Sequence, residues 1–473
     1  MPLIYLAGRS AGRQAFLFGW LHGVVSWLVG IPWIAYTLGV YGQLPGFLSV
    51  LLLLLLAAYL GLYHGLFAWL GRDLFLLGGA WALAGLPALW VALEVVQGIL
   101  FGGFPWNLAA YTWVEVPGAL SFSAWGGAFG VSFLVLLVNS GLALALRRRS
   151  WVPAAWAMLL PAVLLGLAGW SGRDGEAPAE TRPFRIVQPN ISMVQTPDWT
   201  VVEEGYRRLL DLSREACDEP GALILWPESA GWPLQLEGDR YFPGRLRQDL
   251  ETLTARGCSV LFNSVFEGAE GRLYNSAFLL SPDGQMARYD KRHLVPWGEY
   301  VPLGNLFPFV GKLARNAGSF VAGKQTRNLS WEGEQLGLGV CYESIFPFET
   351  AASVRDGATV LATLSNDAWY GESAARKQLF RAVRFRAAEN RRPQLRAAIT
   401  GISARIAADG RVVENLGLDR RGVLRGSLSG RSDLSPFTRW PGLVPWASFL
   451  GAAFAIIAAR RKKHDRRRST ATT

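Results

Sequence analysis

The feature that most restricts what this chain can become is a series of long apolar runs. Six segments, approximately 14–35, 47–70, 74–100, 120–146, 151–170 and 441–459, are each long enough to cross a bilayer as a helix, which takes about 20 residues. The second holds Leu51 to Leu56 without interruption. The first carries His22, the second His64 and the third Glu94. Trp33, Trp106, Trp151, Trp440 and Trp446 fall near the proposed ends, where interfacial aromatics anchor spans. Any one segment would suit the core of a soluble helical protein. Six of them with basic flanks predict a membrane bundle.

Charge orients that bundle. The net charge is +11, and the tail Arg460 to Arg468 supplies +6 of it. Basic runs can bind nucleic acid, but the tail and Arg147-Arg148-Arg149 directly follow apolar segments, as orientation signals do. Arg9 and Arg13 precede the first span, Arg72 lies between the second and third, and Arg147 to Arg149 lie between the fourth and fifth. The intervening loops 36–46 and 101–119 hold no Lys or Arg. The positive-inside rule therefore predicts a cytoplasmic N-terminus, a cytoplasmic tail and an extracytoplasmic segment 171–440. The apolar run Leu3 to Ala7 is too short for a cleavable signal, so the first span is expected to direct insertion.

Residues 182–430 read as one soluble α/β domain. Short apolar runs predict strands at 184–187, 222–226, 259–265, 336–340, 359–364 and 394–399. Helical patterns cover 202–217 and 241–256, and 344–355 reads as a third helix. Gly172 to Pro183 reads as a linker. The three cysteines, Cys217, Cys258 and Cys341, are too few for a disulfide framework. With four His and no Cys-x-x-Cys pair, a zinc site is not expected. Cys217 and Cys258 read as buried structural cysteines.

Three strand ends carry polar residues that could do chemistry. In Trp226-Pro227-Glu228-Ser229, the proline ends the strand ladder and leaves Glu228 where the chain exits the sheet. Such a carboxylate can act as a general base, although the motif alone fits an inert loop-start charge better. In the motif Tyr289 to Tyr300, Lys291 and His293 share a face if the chain is extended. A fixed ammonium could stabilise an oxyanion there, although a basic surface hairpin fits too. In Val340-Cys341-Tyr342-Glu343-Ser344, a strand ends at a thiol and a helix is expected to follow. A helix N-terminus there would favour the thiolate. A buried structural Cys is the alternative.

Jointly, the motifs Trp-Pro-Glu-Ser, Tyr-Asp-Lys-Arg-His-Leu-Val-Pro-Trp-Gly-Glu, Val-Cys-Tyr-Glu-Ser and Leu364 to Gly371, with Gly103-Phe104-Pro105-Trp106 in the membrane part, resemble those of the bacterial apolipoprotein N-acyltransferases. These are a membrane branch of the nitrilase (carbon–nitrogen hydrolase) superfamily. The resemblance covers nearly the whole chain. It implies a transmembrane helical bundle plus an α/β nitrilase-like domain, a four-layer αββα sandwich. The corresponding divisions are a membrane domain 1–170 with about five spans, a periplasmic catalytic domain 171–440, and a last helix with its basic tail, 441–473. The family usually carries eight spans against the six counted here.

Carried over residue by residue, the resemblance makes Glu228 the base, Lys291 the oxyanion stabiliser and Cys341 the nucleophile. Glu299, Tyr342, Glu343 and Trp369 become supporting residues, and Trp199 an edge residue matched at looser spacing. It implies acyl transfer from a phospholipid, through a Cys thioester, to the N-terminal Cys amine of a diacylglyceryl apolipoprotein. No metal or dissociable cofactor is expected, nor any nucleic-acid partner, and the location would be the bacterial inner membrane. A membrane-tethered amidase or nitrilase acting on a small substrate is the rival enzyme, and a silent membrane scaffold the rival of another class. A Cys341–His293 pair would suggest papain-like chemistry instead. Gly318 to Lys324 resembles a phosphate loop, but Gln325 replaces the hydroxyl residue that would hold magnesium. Glu94 is either a functional carboxylate inside a span or a structural hydrogen-bond partner.

Overall fold

The computed structural model describes residues 1–171, 181–191, 199–232, 234–236, 244–296, 298–300 and 320–471. Most of the linker from Gly172, Trp297 of the lysine motif, and Gly318 of the phosphate-loop look-alike lie outside these residues. The chain divides into two compact units: Met1–Pro32, Phe47–Asp174 and Arg439–Thr473 form the first, and Trp33–Gly46 and Gly175–Thr438 the second.

The first unit is helical: α1 (Pro2–Arg9), α2 (Gly12–Gly30), α4 (Gly46–Leu77), α5 (Ala80–Gln97), α6 (Ala119–Arg148), α7 (Val152–Ser171) and α12 (Leu443–Ala471), with α3 (Trp33–Val40) falling in the second unit. Five of these helices are long and apolar enough to span a membrane, or six spans if α2 and α3 count as one broken span. The boundaries depart from the sequence expectation in two places. The first apolar run breaks at Ile31-Pro32, because proline has no N–H for the helical ladder. The second runs on to Leu77, through a charged pair that the hydropathy pattern takes as its end. Arg72 is satisfied in place: its Nε donates to the Ser10 carbonyl at 2.6 Å and its Nη1 to Asp73 at 2.9 Å. Glycines let helices approach closely. A Cβ on Gly23 of α2 would sit 2.7 Å from the Gly61 Cα of α4. Glu94 is buried, and its Oε1 accepts from Trp90 Nε1 at 2.8 Å and from the Ala109 N–H at 2.7 Å. It thereby caps the 3-10 turn Ala109–Trp113.

The second unit is built on two six-stranded sheets. The first has the order β12-β1-β2-β3-β4-β5: β1 (Arg182–Gln188), β2 (Leu223–Leu225), β3 (Ser259–Glu267), β4 (Leu273–Leu280), β5 (Met286–Asp290) and β12 (Gly422–Leu428). The second has the order β11-β10-β9-β8-β7-β6: β6 (Leu329–Trp331), β7 (Glu334–Val340), β8 (Val360–Ser365), β9 (Gln394–Ala398), β10 (Ser403–Ile406) and β11 (Val412–Leu416). In each sheet the central trio runs parallel, β1-β2-β3 and β7-β8-β9, and the flanking pairs are antiparallel. Successive side chains of a strand face opposite sides, and here both sides are covered. Phe184, Ile186, Leu223, Leu225 and Leu261 join Leu336, Leu338, Val360 and Leu364 in a core between the sheets. Val187, Ile224, Val260 and Phe262 point the other way, onto α8 (Trp199–Ala216) and α9 (Arg245–Thr254). On the far side, Val354 of α10 (Pro347–Arg355) and Val383 of α11 (Ala375–Asn390) cover the second sheet. The layers run αββα. Continuous apolar runs mark strands buried on both faces, which is why those of the parallel trios were legible in the sequence.

Cys217 at the end of α8 and Cys258 before β3 are bonded to each other, across 41 residues of chain. Both are buried, as the sequence suggests, but spacing alone says nothing of which loop ends the sheet brings together, so their pairing is not legible in it. Among the described residues Cys341 is the free cysteine.

Candidate active site

Glu228, Lys291 and Cys341 all follow strand ends, after β2, β5 and β7. In sheets with parallel strands the crevice beyond the carboxyl ends is where ligands bind. Lys291 is 1% exposed, and its ammonium lies 3.3 Å from Glu228 Oε1 and 2.9 Å from Glu299 Oε1. Asn275 Nδ2 bridges the same two oxygens, at 3.1 Å and 2.6 Å. Burial opposes a charge on Lys291, but the two carboxylates outweigh it and hold the amine protonated well above the ordinary lysine range. The other oxygens are satisfied by backbone: Glu228 Oε2 accepts the Asn366 N–H at 3.1 Å, and Glu299 Oε2 the Val295 N–H at 2.7 Å.

Cys341 starts a 3-10 turn, Cys341–Ile345, at φ +50°. A non-glycine residue in this left-handed region is strained. Burial pushes its thiol up to about 12, with Glu228 adding to the rise and Lys291 opposing it. The expected helix-favoured thiolate is therefore corrected. The following helix α10 begins only at Pro347, a full 3-10 turn later, so its N-terminus does not open at the sulfur. Burial and Glu228 both disfavour the thiolate form of Cys341.

Glu343 locks the lysine motif to the cysteine turn. Its Oε1 accepts from the N–H of Arg292 at 2.6 Å, the N–H of His293 at 3.1 Å and the Tyr289 hydroxyl at 2.9 Å. Its Oε2 accepts from the Val340 N–H at 2.8 Å. Tyr342 is buried beside this clamp, edge-on to Phe346 at 5.2 Å. Lys291 and His293 do not share a face. β5 ends at Asp290 and the chain bends, so the His293 ring stacks on Phe346 at 3.6 Å, with Nδ1 2.9 Å from Glu349. Trp369 sits in the turn Asp367–Tyr370 after β8, its ring 5.1 Å from that of Tyr41. Trp199 opens α8 and lines a separate pocket of about 430 Å³ with Val202, Tyr206 and Leu234. None of Glu228, Lys291 and Cys341 is in that lining.

Sequence reasoning missed Asn275 and Asn263, which lie on neighbouring strands. Asn263 Oδ1 accepts the Ser229 N–H at 2.9 Å, and its Nδ2 donates to Asn275 Oδ1 at 2.6 Å. A polar residue in the apolar run of β3 was the available signal. The pair Asp367–Arg396, at 2.8 Å and fully buried, gave no such signal, because Arg396 lies in the middle of β9 and Asp367 in the turn after β8.

Residues 1–141 match the family described as the apolipoprotein N-acyltransferase N-terminal domain, and residues 186–431 match the carbon–nitrogen hydrolases. An apolipoprotein N-acyltransferase from Geobacter metallireducens is 35% identical, over 98% of this chain and 90% of its own length. Another from Ralstonia nicotianae is 31% identical, over 98% of this chain and 90% of its own. Among solved structures, an amidase of the nitrilase superfamily from Nesterenkonia AN1 is similar at 22% identity and a TM-score of 0.41, covering 56% of this chain and 96% of that one. The likeness to the acyltransferases runs from the first helix to the last strand of the sandwich, and this chain belongs to the apolipoprotein N-acyltransferase family.

Proposed function

We propose that this protein is an acyltransferase that moves a fatty acyl chain from a phospholipid, through a thioester on Cys341, to the N-terminal amine of a diacylglyceryl apolipoprotein. The observation that carries the reading is the sealed cluster of Glu228, Lys291 and Glu299 beside the buried thiol of Cys341. Glu228 takes the thiol proton, which relieves its own effect on the sulfur. The thiolate attacks the ester carbonyl, and the Lys291 ammonium meets the oxyanion that forms. The lysophospholipid alkoxide leaves with the proton that Glu228 held. The acceptor amine then attacks the thioester, its proton passes to Glu228, and the Cys341 sulfur departs and is reprotonated.

The long apolar helices suit two lipidated substrates, and the alternating basic loops favour a catalytic unit on the periplasmic face of the inner membrane. The Cys217–Cys258 disulfide favours the same side, since such bonds persist in oxidising compartments. Mass spectrometry of the purified chain with phosphatidylethanolamine tests the thioester. An acyl adduct is expected on Cys341 and not in Cys341→Ala. Acyl transfer by Cys341→Ala would exclude this mechanism.

A further inference from the structure

Tyr370 closes the turn after β8 with its hydroxyl 3.8 Å from the Cys341 sulfur, within hydrogen-bonding reach of that large atom. The residue is 7% exposed, and burial holds its phenol well above the ordinary range, so it stays a neutral O–H donor. Its place is fixed from outside the sandwich, by α3 and Tyr41 just after it. The Trp33 ring meets the Tyr370 ring edge-on at 4.9 Å. Thr37 Oγ1 donates to the Trp369 carbonyl at 2.9 Å, and the Tyr41 hydroxyl to the Ala368 carbonyl at 2.9 Å. Gly371 is at φ +53°, and a Cβ there would lie 2.7 Å from the Tyr36 ring. Two aromatic contacts and two hydrogen bonds thus converge on one turn, and that turn presents a single hydroxyl to the sulfur.

We propose that Tyr370 is a further catalytic residue, whose O–H donates to the Cys341 sulfur and carries part of its negative charge when the thiol proton leaves for Glu228. The S–H bond breaks, an O–H bond forms on the Glu228 carboxyl, and Tyr370 keeps its own proton. The other groups acting on the sulfur are Glu228 and Asp367, which disfavour the thiolate, and Lys291 and Ser365, which favour it. The proposal rests on Cys341 being the nucleophile.

Tyr370→Phe deletes the hydroxyl and leaves the ring against Trp33. With Cys217 and Cys258 bonded, iodoacetamide labelling of the full chain in detergent reads Cys341 alone. Below the thiol pKa the logarithm of the labelling rate rises linearly with pH. Tyr370→Phe should displace that line downward about tenfold at equal slope, the size of one hydrogen bond to a charged group. Acyl-enzyme formation from phosphatidylethanolamine should slow by a similar factor, with an unchanged melting temperature. Superimposed labelling lines and equal acylation rates would overturn the proposal. Acyl transfer by Cys341→Ala would instead overturn the nucleophile assignment, so the two failures are distinct.

Discussion

Lys291 is where chemistry and stability are hardest to separate. Its ammonium is shared by two buried carboxylates, so Lys291→Met leaves Glu228 and Glu299 without a cation. Removing one partner of a buried pair costs about 3–5 kcal/mol, and the melting temperature should fall. Acylation per folded molecule should fall by about 10²-fold or more, the loss of one oxyanion donor. Lys291→Arg should rescue poorly, because the guanidinium is larger and planar. His293→Ala should cost far less, since its ring serves Phe346 and Glu349. The decisive comparison is acyl-enzyme formation across these variants, and an active Lys291→Met beside a dead His293→Ala would reverse the assignment. At Cys341 the sign of the pH effect is fixed. A thiol raised to about 12 is less ionised than an ordinary cysteine at any pH below that value. Its iodoacetamide labelling without substrate should keep rising with pH, with no plateau near the usual thiol pKa. These polar residues were legible because each interrupts an apolar run at a strand end. The direction in which each points was not, since that depends on bends and long-range partners such as Glu349.

Two cross-links between elements set how firmly the site is held. Glu343 receives four donors from two parts of the chain. Glu343→Gln turns one acceptor into a donor facing N–H groups. Leaving a buried group unsatisfied costs about 1–3 kcal/mol, so thermal unfolding should shift down and acylation should fall with it. A variant with unchanged melting and rate would show that the clamp is dispensable. The Cys217–Cys258 bond closes a 41-residue loop, for which chain entropy gives about 4 kcal/mol. Cys217→Ala with Cys258→Ala should therefore melt earlier yet retain acylation at low temperature. Strands such as β7 and β8 could be read from apolar runs of the right length. β4, β5 and the β10–β11 hairpin could not, because polar and charged residues such as Asn275, Arg288 and Arg405 interrupt their patterns. The turn after Cys341 reads as helix because 3-10 and α turns differ little in side-chain period.

Across the whole molecule, the proposed orientation predicts that a reporter fused after Gly172 behaves as periplasmic and one fused after Lys463 as cytoplasmic. The reverse pattern would sink both the orientation and the proposed substrate. Six apolar runs were visible in the sequence, but not that residues after the break at Pro32 pack with the sandwich. A segment expressed from Gly175 to Thr438 alone lacks α3, so it should lose the support beneath Trp369 and Tyr370. Its Cys341 labelling and stability should differ from those of the full chain, and identical values would exclude a role for α3. Because the unit is assembled from two separated stretches, its completion is also a matter of timing. A ribosome adds about 5–20 residues per second. Trp33–Gly46 therefore leaves it well before the strands it will support exist. The helices between must be threaded into the bilayer while α3 waits, unpaired, for a partner still being made. Competence for acylation should then appear only after the final strand has been synthesised, as a late and all-or-none event in the life of each new chain.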